Sequence, residues 1–412
     1  MQPNYFSITE TFGTPLYVYD EAKLREFAQN ALAFQAPFGL TVRFAMKANP
    51  NQSILRLFNT MGIQIDASSA YEALRAISAG IPGSQILFTT QEPPKPEMLK
   101  QLIDQGVEFN ACSLHQLELY GSNFPNSQVS LRINPGEGSG EFAKTNVGGK
   151  TSSFGIWHER IPEAKDLLKK YSLTVKRIHT HIGVGTDPEA WLKVLEFTLP
   201  LLLEFPEVQI LNMGGGFKVA RIPTEKTADL QAISTRVVQA LEKFAQETGR
   251  KIHLEIEPGT YLVANTCNLL STIMDKVDTG ENGYEFLKLD CGMTEILRPS
   301  YYGAQHTMHV LSKDPKNKTK PYVVVGHCCE SGDLITPAPG KGDEIATREL
   351  AEASIGDLFL IEGCGAYCAG MSALHYNSYP EAAEVLIKQN GESKLIRKRE
   401  ELKELMRNEL VN

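Results

Sequence analysis

The sequence has seven cysteines (Cys112, Cys267, Cys291, Cys328, Cys329, Cys364 and Cys368), but no two are spaced as CxxC. An odd number cannot all be bridged within one chain, so free thiols and a reducing, cytoplasmic setting are expected. Long hydrophobic runs are also missing. The longest, such as Leu199–Leu203, are far too short to cross a bilayer, and Met1–Glu10 has no cationic segment leading into an apolar one. Neither export nor membrane insertion is expected. Positive charge is in deficit, with 41 Lys and Arg against 49 Asp and Glu and a net charge of -8. That balance argues against a nucleic-acid partner and for a small-molecule substrate. Apart from a strand-helix period, no sequence repeat or low-complexity tract appears.

What is present is enough apolar residue, 42% of 412, to fill two cores. From Thr41 to Gly259, short β-type runs alternate with longer amphipathic stretches, the pattern of a parallel sheet wrapped by helices. Eight runs can be counted: Thr41–Ala48, Gly62–Ser69, Gln85–Thr90, Gly106–Ser113, Gln128–Asn134, Val175–Gly183, Val208–Gly216 and Lys251–Gly259. Helix candidates between them include Tyr71–Ala79, Ile161–Tyr171 and Leu230–Thr248. Eight such repeats predict an α/β fold, a closed (β/α)8 TIM-type barrel over residues 24–265. Beyond Ala264 the runs Glu285–Asp290, Tyr322–Gly326 and Asp357–Glu362 lack helical spacers and predict a second, mainly antiparallel β domain over 266–412. The strand Pro15–Tyr19 precedes the barrel and is a candidate to join it, although residues 1–23 are grouped here with the second domain. Lys313–Lys320 reads as an exposed loop and Lys394–Glu409 as a solvated helix.

Barrel enzymes keep their catalytic groups at the C-terminal ends of the strands. Polar residues gather there in this sequence: Lys47 after the first run, Asp66 and Ser69 on the second, His179 and His181 on the sixth, Gly214, Gly215 and Gly216 on the seventh, and Glu257-Pro258-Gly259 on the eighth. A lysine ending an apolar strand is expected to be partly desolvated, which favours a neutral amine able to form a Schiff base; a lysine reaching out to water is the alternative. Three glycines at a strand end expose backbone amides to a phosphate, or simply make a tight turn. Glu257 is placed to face a protonated pyridine nitrogen and keep the ring a strong electron sink, which favours decarboxylation over racemisation. His179 and His181 alternate along a strand and so both face inward, His181 nearer the mouth; no third metal ligand lies nearby in sequence, so no metal is expected. Stacking on a cofactor ring is the better use of His181. One layer deeper, His179 and Glu255 are expected to pair. In the second domain, Cys329-Glu330-Ser331-Gly332-Asp333 follows an apolar strand and offers a thiol able to deliver a proton, with Cys328 as its inert neighbour.

With these residues in hand, the chain resembles the fold-type III pyridoxal-phosphate decarboxylases over nearly its whole length. The resemblance rests on Ala45–Asn49 (AMKAN), Asp66–Glu72, His179–Gly183 (HTHIG), Gly214–Phe217, Glu257–Gly259 (EPG), Asp290–Gly303, Cys329–Asp333 (CESGD) and Gly365–Tyr367, in family order. It implies pyridoxal 5'-phosphate as cofactor, contacted by Lys47, His181, Gly214, Gly215, Gly216, Glu257, Pro258, Gly259 and Tyr367. It implies substrate contacts from Arg298, Tyr302, Glu330 and Tyr367, and Lys47 and Cys329 as the catalytic residues. It further implies a homodimer with shared active sites, Cys329 being supplied across the interface. The implied reaction is decarboxylation of an amino acid, with meso-diaminopimelate giving L-lysine first in line, and ornithine, arginine or carboxynorspermidine as alternatives. One departure stands out: the family pattern has arginine after Glu-Pro-Gly, where it helps bind the far carboxylate, and this chain has Thr260. Rival readings are a non-catalytic regulatory homologue and a cofactor-free Schiff-base aldolase.

Overall fold

The computed structural model describes residues 4–136, 148–181, 183 and 185–410. Ile182, within the HTHIG segment, lies outside the described residues. The chain divides into a barrel unit, Glu26–Val219 with Lys226–Leu262, and a sheet unit made of Met1–Arg25, Ala220–Glu225 and Val263–Asn412. The excursion of Ala220–Glu225 into the sheet unit has no counterpart in the hydrophobic pattern.

Strand β1 (Leu16–Asp20) belongs to the sheet unit. The barrel strands are β2 (Leu40–Ala45), β3 (Gln64–Ala67), β4 (Ile86–Thr89), β5 (Glu108–Ala111), β6 (Gln128–Asn134), β8 (Thr174–Thr180), β9 (Ile210–Asn212) and β10 (His253–Ile256), with a two-residue strand β7 (Ile156–Trp157) beside β6. They run parallel in the order β5-β4-β3-β2-β10-β9-β8-β6, and β5 pairs with β6 to close the ring. All eight lie within the runs read from the sequence, apart from the outlying residues Leu40 and Thr174. The helices Ala70–Ser78, Ile161–Tyr171 and Leu230–Thr248 lie between strands, as their periodicity predicts.

Local chemistry sets two strand-to-helix turns in the same way. Ser69 caps its helix by accepting from the Glu72 N–H at 3.1 Å, while Glu72 accepts from the Ser68 N–H at 2.7 Å. Ser113 accepts from the Gln116 N–H at 3.1 Å, and Gln116 accepts from the Cys112 N–H at 2.8 Å. This reciprocal serine and Glu/Gln arrangement satisfies donors that a helix start leaves open. The strand alternation then sorts side chains. Phe44 points outward to meet Phe58 of the helix Gln52–Thr60, edge to face at 5.0 Å, and Arg43 points inward.

Inside the barrel, Arg43 and Arg177 both grip Glu255, with Arg43 Nη2 2.9 Å from Oε1 and Arg177 Nε 2.7 Å from Oε2. Arg177 also reaches Glu108 at 2.7 Å. Burial opposes ionisation of Glu255, but the two arginines overcome it and hold the carboxyl down to about 2. Its contribution to stability is therefore complete above the ordinary carboxylate value and is lost as pH falls through about 2. The expected His179–Glu255 pair does not form. Two guanidiniums already saturate Glu255, and His179 turns instead to Asn110 and Glu257.

The sheet unit carries β11 (Cys267–Asp278), β12 (Glu285–Leu289), β13 (Met308–Leu311), β14 (Thr319–Val325), β15 (Pro337–Ala338), β16 (Lys341–Ile345), β17 (Arg348–Ala351), β18 (Leu358–Ile361), β19 (Ala383–Ile387) and β20 (Ser393–Arg397). The main sheet runs β17-β14-β12-β11-β1-β19-β20, with β18 on β11 and β13 on β18; only β1–β19 and β12–β14 are parallel. β1 thus does not join the barrel. The closed ring offers it no edge, and Leu16 and Val18 pack with Leu270, Leu360, Ala383 and Val385 instead. The charged tail is not one long helix either: Ser393–Arg397 forms an edge strand, followed by one helical turn, Leu402–Leu405. Charged side chains suit an exposed edge as well as a solvated helix, and Arg397 turns back to pair with Glu384 at 2.9 Å.

Candidate active site

The sequence-predicted groups of the barrel unit meet at its C-terminal mouth. β2 ends at Ala45, and Lys47 sits on the 3₁₀ turn Met46–Ala48 that follows. The turn lifts the side chain off the sheet, so Lys47 is exposed rather than partly desolvated. Its charge acts on Asp66, Glu257 and His181. Burial, and then Asp66, push the Glu257 carboxyl up to about 8 against the pull of Lys47. Burial likewise raises Asp66. Lys47 and Arg132 both act on the Asp66 carboxyl, yet burial outweighs them.

Asn212, overlooked in the sequence, joins the two carboxylate layers. Its Nδ2 donates to Glu257 Oε1 at 2.6 Å and to Glu255 Oε2 at 3.1 Å, while its Oδ1 accepts from the Gly214 N–H at 2.8 Å. Asn110 Nδ2 donates to His179 Nδ1 at 2.7 Å. The remaining ring proton is then on Nε2, 3.5 Å from Glu257 Oε2. Burial first, then Arg132, keep His179 and His181 well below the usual imidazole range, so both are neutral. Arg132, on β6 beside His179, is a second residue the sequence reading missed.

The glycines have tasks of their own. A Cβ on Gly214 would come within 2.8 Å of the His181 side chain, and one on Gly215 within 2.2 Å of the Glu257 carbonyl oxygen. Gly216 turns the chain at φ 92°. A Cβ on Gly259 would lie 3.3 Å from the side chains of Ala45 and Ala48, and the Pro258 carbonyl accepts from the Ala45 N–H at 3.3 Å. The triplet and the Glu-Pro-Gly turn therefore bring His181, Glu257 and the Lys47 turn together whatever else they bind.

Would these residues suit a pyridoxal phosphate? Asp66 Oδ1, Arg132 Nη2, His179 Nε2 and His181 Nδ1 are all buried without a hydrogen-bond partner. A raised carboxyl, a neutral imidazole and an exposed lysine amine match a pyridinium, a flat ring and an aldehyde respectively. The donor set fits.

In the sheet unit, Arg298 and Tyr302 lie on the short helix Arg298–Tyr302, the guanidinium 5.8 Å from the Tyr302 ring centroid. Burial raises the Tyr302 hydroxyl, with Arg298 opposing and Tyr367 among the groups that add to it. Arg298, Tyr302 and Tyr367 are thus neighbours, and Tyr367 takes a left-handed backbone at φ 56°. Cys329 and Glu330 occupy a separate loop. The Cys329 N–H donates to Asn377 Oδ1 at 2.8 Å, and Glu330 Oε1 accepts from the Gly332 N–H at 3.0 Å. Buried Asp333 fixes this loop by accepting from the N–H groups of Met293 (2.7 Å) and Cys328 (2.8 Å), beside Gly292 and Gly326, where a Cβ would strike its carboxylate at 2.2 Å. Burial and Asp333 push the Cys328 thiol up to about 12, whereas Cys329 is exposed. Among the described residues no group of three or more His, Cys, Asp or Glu side chains could hold a metal, and no helix is long and apolar enough to cross a membrane.

Comparison with known proteins follows the same lines. A family profile described as the pyridoxal binding domain of pyridoxal-dependent decarboxylases matches residues 23–264. Diaminopimelate decarboxylase of Escherichia coli is 34% identical over 417 residues, covering 99% of this chain and 96% of that one. The enzyme of the same name from Streptomyces coelicolor is 33% identical, covering 99% and 92%. A crystal structure of diaminopimelate decarboxylase superposes with a TM-score of 0.92 at 33% identity over 99% of this chain and 96% of that one. The Helicobacter pylori enzyme complexed with L-lysine gives 0.86 at 28% identity, covering 98% of each.

Proposed function

This chain belongs to the fold-type III pyridoxal-phosphate decarboxylase family, grouping with the diaminopimelate decarboxylases, and from that premise we propose that it converts meso-diaminopimelate to L-lysine and carbon dioxide. The observation that carries the reading is the meeting of Lys47, Asp66, His181 and Glu257 at one barrel mouth. Lys47 would hold pyridoxal 5'-phosphate through its ε-amine. Glu257 would face the pyridine nitrogen, His181 the ring, and Gly214, Gly215, Gly216, Pro258, Gly259 and Tyr367 would complete the cofactor contacts. When bound, the cofactor supplies an electron sink for the pair left on the α-carbon as carbon dioxide leaves.

The chain's own groups do the rest. Lys47 is exposed, so a substrate amine can reach it and exchange places with its own. Glu257, tied by Asn212, keeps a carboxylate oriented toward the cofactor. Arg298, Tyr302, Glu330 and Tyr367 bind the substrate. Cys329 donates the proton that replaces the lost carboxylate, since its buried neighbour Cys328 holds its own too tightly. The partnership is a homodimer, each Cys329 serving the other subunit's site, and the seven free thiols favour the cytoplasm. Carbon dioxide release should be measured with meso-diaminopimelate, ornithine, arginine, lysine and carboxynorspermidine. We expect meso-diaminopimelate to lead in kcat/KM by more than about 100-fold. A higher value for any other member of the panel contradicts the substrate assignment.

A further inference from the structure

Arg221 was not among the residues that the sequence singled out, and it is held with care. It belongs to Ala220–Glu225, the short segment that joins the sheet unit. Its carbonyl accepts from Thr307 Oγ1 at 2.9 Å, its N–H donates to Glu225 Oε2 at 2.8 Å, and its Nε donates to the Gly363 carbonyl at 3.1 Å. Gly363, at φ 71°, leaves the lane in which the arginine stem runs: a Cβ there would lie 3.1 Å from Arg221 Cγ. So the side chain is fixed from backbone to Nε, yet its Nη2 is buried with no hydrogen-bond partner.

Arg298 is the neighbour that matters. Its Nε is also buried and unpartnered. Burial, and then Arg298, press the Arg221 guanidinium down to about 9, with Cys368 and then Glu225 only partly offsetting them. Both arginines act on His306, whose Nδ1 donates to the Glu362 carbonyl at 2.8 Å and which burial keeps neutral. Two guanidiniums that repel each other, each with a buried nitrogen lacking a partner, suit an anion.

We propose that Arg221 is a specificity-determining residue, forming with Arg298 a two-guanidinium site for the second carboxylate of a dicarboxylic amino acid. This rests on the substrate reading above, and it accounts for Thr260: the arginine absent from that position has a counterpart on a different loop. The second carboxylate is what separates diaminopimelate from lysine, so a charge-assisted grip on it sets the choice between them.

The holoenzyme, its Arg221→Gln form and its Arg221→Lys form should be compared in steady state with meso-diaminopimelate, and with pimelate as a competitive inhibitor lacking both amines. For Arg221→Gln, KM and the pimelate Ki should each rise roughly 10- to 100-fold, the loss of one or two charged hydrogen bonds. kcat, the cofactor absorbance and Tm should change far less, and Arg221→Lys should fall between the two. An unchanged KM and Ki overturns the proposal, as does a loss that appears instead as weaker cofactor retention, which would assign Arg221 to the phosphate. If the wild type fails to turn over meso-diaminopimelate, the substrate reading fails; calorimetry with pimelate still tests the anion site, through the same dependence on Arg221.

Discussion

Lys47→Ala is expected to lower carbon dioxide release by more than about 1,000-fold and to remove the visible absorbance of the bound cofactor, while the fold survives. The lysine stands exposed on a 3₁₀ turn whose flanking residues Met46 and Ala48 are buried, so removing its side chain opens no cavity in the core. What disappears is the amine whose charge acts on Asp66, His181 and Glu257. Absorbance spectroscopy and circular dichroism on the same sample separate loss of cofactor from loss of structure. Retained turnover would end the mechanism proposed here. The same variant tests the shared site: mixed with Cys329→Ala after subunit exchange, it should regain activity, because a mixed dimer carries one site with both groups intact. No recovery argues for self-contained sites.

Glu257→Gln is the second large effect, expected at roughly 100- to 1,000-fold in kcat with the cofactor still attached to Lys47. Glutamine keeps the Asn212 contact within reach but removes the charge. Stability should respond with a definite sign in protein stripped of cofactor. The Glu257 carboxyl is raised from 4.5 to about 8 by burial and Asp66, so the folded state holds that proton more tightly than the unfolded chain does. Its favourable contribution is complete below the ordinary carboxylate value and is lost as pH rises through about 8. Denaturation midpoints of the stripped wild type should therefore fall across that window, and those of stripped Glu257→Gln should fall less. Adding cofactor should flatten the wild-type profile, because a cation beside Glu257 stabilises its ionised form. Equal pH profiles for the two stripped proteins would show that Glu257 titrates normally.

The barrel was legible because each strand is a compact apolar run with its polar residues at the C-terminal end. The mouth groups Lys47, Asp66, His181 and Glu257 could be found for the same reason. Arg43 and Arg177 were not. Arg177 shares the alternation that turns His179 inward, but that it and Arg43 both meet Glu255 shows only once the ring closes. Asn212 escaped because a single amide before a glycine triplet has no period to mark it. Arg221 escaped because its partners, Gly363 and Arg298, are far away in sequence. The strand Leu16–Asp20 and the tail strand Ser393–Arg397 were assigned by local character, whereas pairing with β11 and β19 decided both.

Reduction of the cofactor-loaded protein with borohydride, followed by peptide mass mapping, bears most directly on the whole account. A pyridoxyl adduct should be found on the peptide containing Lys47 and nowhere else. An adduct on a different lysine, or none in protein supplied with pyridoxal 5'-phosphate, would contradict it.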